Sequence, residues 1–269
     1  MVPTQIIAVA AAMAVIAVIY SMVGLGGGSG YLMVMGIAGL APESMRPTAL
    51  ILNLLVAGIG LVRFAQVGGF RWRTLWPFVI TSLPFAFLGG AINLDAVIYR
   101  RLVAVVLLFA AYRLAFKLPT RTDPELVRKV PLSTALIWGA AIGLVSGLVG
   151  IGGGILLSPV LLVFRWATAR QVAGIAAAFI LINSASALVG FAARHQGIPV
   201  DPGAVAIFAT AVFLGGLIGT GIGTRRLGHV GLRRVLAAIL VFAGGKMMLF
   251  PGGPVPPETP AAVETRDPG

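Results

Sequence analysis

Two stretches of this chain run on without a charge for longer than one membrane crossing needs, and both are interrupted by glycine. Residues 1–42 and 130–164 contain no Asp, Glu, Lys or Arg. The first holds Gly24-Leu25-Gly26-Gly27-Gly28-Ser29-Gly30 and the second Gly150-Ile151-Gly152-Gly153-Gly154. A helix crosses the hydrocarbon core in about 20 residues, so a 42-residue uncharged run exceeds one straight span. Three adjacent glycines bare their amides and carbonyls, and lipid offers those groups no partner. Such a segment persists at membrane depth only when packed in protein or lining a polar cavity. Both interruptions are therefore expected to belong to the substrate site of a transporter.

Composition supports the membrane assignment. Of 269 residues, 58% are apolar and 10% charged, a balance foreign to soluble domains. The apolar runs are continuous, which argues against the short alternating segments of a barrel. The first run lacks a basic n-region and outlasts a short h-region, so it reads as a retained span and not a signal peptide. Cysteine is absent, which removes disulfide frameworks and thiolate metal sites. No cofactor is expected. The net charge of +12 would suggest nucleic acid in a soluble protein. Here the 20 Lys and Arg lie at predicted helix ends and loops, where they meet lipid phosphates. The expected partner is the bilayer, with no nucleic acid.

Taken in order, Thr4 to Val23 is a span and Tyr31 to Leu40 a half-helix too short to cross. Ala41 to Pro47 reads as a polar turn, and Thr48 to Val62, Leu75 to Ile92 and Leu102 to Phe116 as further spans. Trp72, Trp76 and nearby arginines mark an interface between them. Asp95 and Tyr99-Arg100-Arg101 read as a turn. Residues 117–131 form a polar linker separating a first membrane repeat, 1–116, from a second, 132–250. In the second, Leu132 to Val149, Val172 to Ala193, Gly203 to Gly223 and Leu232 to Phe250 are spans, with a half-helix from Ile155 to Phe164. Residues 251–269, rich in Pro, Gly, Glu and Thr, are expected to be a disordered tail. The predicted class is an all-α polytopic membrane protein of two halves.

The halves repeat in register. Val23 to Gly28 matches Val149 to Gly154, and Leu88-Gly89-Gly90 matches Leu214-Gly215-Gly216, both at an offset of 126. Asn53 pairs with Asn183 at 130, Arg63 with Arg194 at 131 and Arg100-Arg101 with Arg233-Arg234 at 133. Counting each span and its half-helix as one interrupted crossing gives four crossings per half and parallel halves. A re-entrant half-helix would change that parity. With four crossings, Lys and Arg divide 9 to 11 between the two sides, too evenly to orient the protein.

Candidate site residues follow from the repeat. Glycine lets another group approach the backbone closely. A helix that starts at Ser29 or Ile155 has unpaired N–H groups and a positive dipole end in its first turn. Gly26, Gly27, Gly28 and Ser29, with Gly152, Gly153 and Gly154, could thus hold a small anion without a buried cation. The plainer alternative is close helix packing by small residues. A dinucleotide site is excluded, since no strand precedes the glycines. Asn53 and Asn183 are the amides the repeat duplicates, costly in hydrocarbon unless partnered. They donate either to an anion or to freed backbone, with Ser184 as an accessory donor. Asn93, at a helix end, reads as a cap or a solvated residue. No carboxylate lies in a predicted span, which favours an anionic or neutral cargo over a cation. Arg63 and Arg194 either attract anions at a vestibule or snorkel to headgroups. An enzyme is not expected, because Ser29 has no base: His195 and His229 both fall in loops.

These motifs resemble the TauE/SafE sulfite exporter family, also called the toluene-sulfonate uptake permease group. Gly147 to Gly154 and Ala178-Phe179-Ile180-Leu181-Ile182-Asn183-Ser184 are close to its pattern, and the resemblance extends over about residues 5–250. The first copy departs from it: Asn53 lies four residues nearer its glycines than Asn183 does, and no serine follows it. The resemblance implies eight spans and a multi-pass permease of the bacterial inner membrane. It also implies a sulfite, sulfonate or related organic-anion cargo. The alternative is a non-transporting membrane subunit or assembly factor.

Overall fold

The computed structural model describes residues 3–115, 127–195 and 197–225, with positions 241, 245, 248 and 249 besides. Among these residues the chain is all-helical. The helices are α1 (Pro3–Ser21), α2 (Gly28–Ile37), α3 (Pro42–Gln66), α4 (Trp72–Ala91), α5 (Ala96–Ala115), α6 (Leu132–Val149), α7 (Gly154–Val163), α8 (Ala169–His195) and α9 (Pro202–Arg225). Six of them, α1, α3, α4, α6, α8 and α9, are long and apolar enough to cross a membrane. The expected fourth span falls in α5, which carries Arg100, Arg101 and Arg113 and is not among the six. All but those four positions of the expected eighth span, with the tail from 251, His229 and most of the 117–131 linker, lie outside the described residues.

Two predicted turns are helix instead. Residues 41–47 open α3: Pro42 occupies the first turn, where its missing N–H costs nothing, and Glu43 faces the positive dipole end. The Asp95 Oδ1 atom accepts a 2.8 Å bond from Val97 N, which caps α5 and carries Tyr99-Arg100-Arg101 into the helix.

Small residues set the packing. Gly139, Gly143 and Gly147 of α6 lie against the backbone of Phe78, Ser82 and Ala86 of α4. Gly215 and Gly219 of α9 lie likewise against Ala14 and Val18 of α1, and Gly223 against Met22 just past its end. Both ladders advance four residues at a time on both helices, so α4 runs with α6 and α1 with α9. Such close backbone approach replaces the hydrophobic drive that lipid removes. Ser186 Oγ donates to Leu83 O at 2.7 Å and Gly190 abuts Phe87, so α8 also runs with α4. Gly60 meets Ala177, and Leu50 clusters with Ala187, so α3 opposes α8. Gly216 meets Val56 and Ile59, and Gly221 lies near the Arg63 guanidinium, so α3 runs with α9. Helices α1, α3 and α9 thus point one way and α4, α6 and α8 the other.

Consecutive long helices α1 and α3 therefore share a direction, as do α6 and α8. The stretch between each pair, a glycine segment and a ten-residue helix, returns the chain to the side it came from. Gly30, at the start of α2, lies beside Tyr20 and Ile16 of α1. Gly153, at the start of α7, lies beside Ile142 and Ser146 of α6. Span and half-helix do not form one crossing, so the count that gave parallel halves does not hold.

Candidate functional site

Each glycine segment ends as the N-cap of a short helix. Gly27 precedes α2 with φ +121° and Gly153 precedes α7 with φ +80°, values an L side chain rarely adopts. No side chain caps either helix and neither first turn holds a carboxylate. Tyr31 N donates to Gly27 O at 2.9 Å, and Leu156 N and Leu157 N both donate to Gly153 O at 3.0 Å. This leaves the N–H groups of Gly28, Ser29 and Gly30 in α2 and of Gly154 and Ile155 in α7 with no carbonyl within the helix and no side-chain acceptor at the cap. At about 1.5 Å per residue each short helix is about 15 Å long, half a bilayer core.

The two segments meet at Asn53. A Cβ built at Gly28 would fall 2.5 Å from Asn53 Nδ2 and 3.0 Å from Ile151 O, the second segment's own backbone. At Gly26 it would fall 3.2 Å from Asn53 Oδ1, and at Gly152 it would fall 3.3 Å from Asn53 Nδ2 and 2.8 Å from Ser184 Oγ. Asn53 lies near the middle of α3 and is fully buried, and neither Oδ1 nor Nδ2 has a hydrogen-bond partner. Ser184 Oγ is likewise buried and unpartnered. Ile180 packs against Gly26, Gly152 and Gly154 and forms the apolar wall of the site.

The remaining candidates divide. Gly154 lies on Ile180, where a Cβ would fall 3.3 Å from Ala176 O, and Gly153 lies on Phe179. Ser29 Oγ is engaged with Tyr20 Oη at 3.0 Å. Asn183 turns back on its own helix: its Nδ2 donates to Phe179 O at 2.9 Å, leaving only Oδ1 unpartnered. The two asparagines are therefore not equivalent, and the copy that fits the family pattern less well is the freer one.

Sequence reasoning missed four side chains here. Tyr31 Oη donates to Gly26 O at 2.9 Å and Tyr99 Oη to Val149 O at 3.1 Å, so a buried phenol steadies each glycine segment. Tyr20 holds Ser29 as described. Arg46, read from the sequence as a turn residue, is buried at 4% exposure beside Gly150, whose Cβ would fall 3.1 Å from Arg46 Cγ. A site with no cationic side chain was expected; α3 starting at Pro42 carries this one inside. Of the two arginines read from the sequence as vestibule or headgroup residues, Arg63 is half-buried and Arg194 exposed, both away from Asn53.

Comparison with known proteins bears on this arrangement. The sequence matches the family described as Sulfite exporter TauE/SafE over residues 9–247. It is 38% identical over 247 residues to "Probable membrane transporter protein y4hK" of Sinorhizobium fredii, covering 91% of this chain and 99% of that one. It is 27% identical over 211 residues to "Probable membrane transporter protein MJ0441" of Methanocaldococcus jannaschii, covering 75% of this chain and 78% of the relative. No solved structure matches.

Proposed function

Because this chain belongs to the Sulfite exporter TauE/SafE family, and is thus an integral multi-pass membrane transporter and not an enzyme, we propose that its cargo is a small anion held at Asn53. Sulfite, sulfonates and related organic anions are the substrate class. The observation that carries this reading is the fully buried Asn53 amide with both polar atoms unpartnered between two glycine segments. A buried polar group without a partner is costly and asks for an explanation, and a bound guest supplies one. Nδ2 donates to an anionic oxygen, while Oδ1 accepts from an acidic hydroxyl or an N–H. That pairing suits a singly protonated oxyanion. The uncapped starts of α2 and α7 and the Ser184 hydroxyl add donors around it.

The order of elements supports transport by alternating access. A long helix, a glycine segment, a ten-residue helix and two further long helices occur in each half, and α1 points opposite to α6 as α3 does to α8. We read this as an inverted-topology duplication, the arrangement in which a midplane site is reached from either side. Asn53 near the middle of α3 and Asn183 near the middle of α8 fall at such a depth. The test is flux of labelled sulfite or a sulfonate in proteoliposomes of the purified protein. Flux that disappears in Asn53→Ala with folded protein retained supports the reading; wild-type protein that moves neither anion, or undiminished flux in Asn53→Ala, refutes it.

A further inference from the structure

Arg46 is a buried cation to which no described residue supplies a counter-charge. Its Nη1 donates to Ile92 O at 3.1 Å and its Nη2 to Gly89 O, both at the end of α4. Its Cζ lies 5.4 Å from the centre of the Phe191 ring. Nε is buried and has no partner, and no carboxylate pairs with the guanidinium among the described residues. The carbonyl end of α4 offers roughly half an elementary charge, so a full positive charge stays only partly compensated away from water. The opposite end of the site has no such group: Gly24 abuts Ala173, four residues into α8, where Gly150 abuts Arg46, four residues into α3.

We propose that Arg46 is a second anion-binding residue, on the α4–α6 side of Asn53, which takes the charge of the cargo on its way to or from the amide. The proposal rests on the anion reading above. A guanidinium has five N–H donors. With two committed to α4, Nε–H and a remaining Nη–H form a fork for two oxygens on one centre. This selects sulfite, sulfonate or carboxylate groups over halides.

The test compares Arg46→Lys and Arg46→Gln with wild type in the full-length protein, using sulfite and methanesulfonate as probes. Arg46→Lys keeps the charge but loses the fork, and is expected to raise KM for both anions at least tenfold; Arg46→Gln should raise it further. An arginine that only caps α4 would lower the unfolding temperature and leave KM unchanged, and that result in Arg46→Lys overturns the proposal even if Arg46→Gln does not fold. Loss of flux in Asn53→Ala with normal KM in Arg46→Lys removes this inference alone. Wild-type protein without anion flux removes both.

A different observation, the charge at the two ends of the bundle, carries a second inference. The ends of α3, α5 and α9 and the starts of α4, α6 and α8, with their loops, hold nine Lys and Arg and no carboxylate among the described residues. Arg128 N donates to Arg165 O there, so these loops adjoin. The opposite end holds Glu43, Asp95 and Asp201 with Arg100, Arg101 and Arg194 besides the buried Arg46. Lys and Arg favour the cytoplasmic side and its anionic lipids. We infer that the nine-cation end faces the cytoplasm against anionic headgroups, and that Arg46 lies on the outer side of Asn53. The native chain has no cysteine, so Gln66→Cys and Asn93→Cys each report one end. In spheroplasts an impermeant maleimide should label Asn93→Cys, and should label Gln66→Cys only after permeabilisation. Labelling of Gln66→Cys in intact spheroplasts, or of Asn93→Cys only in opened ones, overturns the orientation.

Discussion

Replacing Asn53 by leucine, a residue of similar size, should make the protein more stable and useless at the same time. Each polar group buried without a hydrogen bond costs about 1–3 kcal/mol on protein mutational scales, and Asn53 has two. Polar side chains within membrane bundles are worth less, about 0.6 kcal/mol on average, so the gain for Asn53→Leu is expected between zero and about 2 kcal/mol. Ligand moves the balance the other way. An anion at 100 times its Kd adds about 2.7 kcal/mol to the wild type and should add nothing to the variant. The assay is thermal unfolding of detergent-purified protein with and without sulfite, alongside proteoliposome flux. Asn183→Leu is the control: it loses the bond to Phe179 O, should cost about 1 kcal/mol, and should keep its response to anion. An Asn53→Leu protein that melts below wild type without ligand, or that still gains stability from sulfite, refutes the reasoning.

Other substitutions test the surroundings. Gly28→Ala places a Cβ 2.5 Å from Asn53 Nδ2 and 3.0 Å from Ile151 O, so flux should fall at least tenfold while the size-exclusion profile stays that of folded protein. Gly143→Leu drives a side chain into Ser82, with Ser82 Cα only 2.6 Å from the first added carbon; since backbone cannot yield as a side chain does, the cost should exceed the usual 1–3 kcal/mol of overpacking. Aggregation on size exclusion is expected, whereas Gly58→Leu, with nothing within 4 Å, should run as wild type. Tyr31→Phe frees the Gly26 carbonyl and should lower stability by about 1 kcal/mol, read as a shift of the unfolding midpoint.

Hydropathy located the long helices because a membrane span must be apolar over its whole length, and α6 keeps the expected bounds of Leu132 and Val149. It misplaced the starts of α3 and α5, where Glu43 and Arg46, or Arg100 and Arg101, look like loop chemistry. Glu43 suits a helix start, and Arg46 is taken in by the end of α4, 43 positions further on. No local pattern encodes that partner. The rank of the two asparagines was hidden for a similar reason: Asn183 bonds its own helix while Asn53 faces two distant glycine segments. The direction of travel through those segments was equally illegible, since a helix that continues and one that turns back have the same hydropathy. One signal was present and unread. The four-residue spacing of Gly139, Gly143 and Gly147, and of Gly215, Gly219 and Gly223, announces two closely packed seams.

Those seams decide what can move. Each joins a helix before the 117–131 linker to one after it, α4 to α6 and α1 to α9, so residues 3–115 and 132–225 are laced into one another and neither is a mechanical unit. Rocking one half against the other would unzip both glycine ladders. If cargo passes by the alternating access proposed above, the glycine ladders keep α1 with α9 and α4 with α6, and the opening runs between those pairs, along the line where α3 packs on α8 and Asn53 waits.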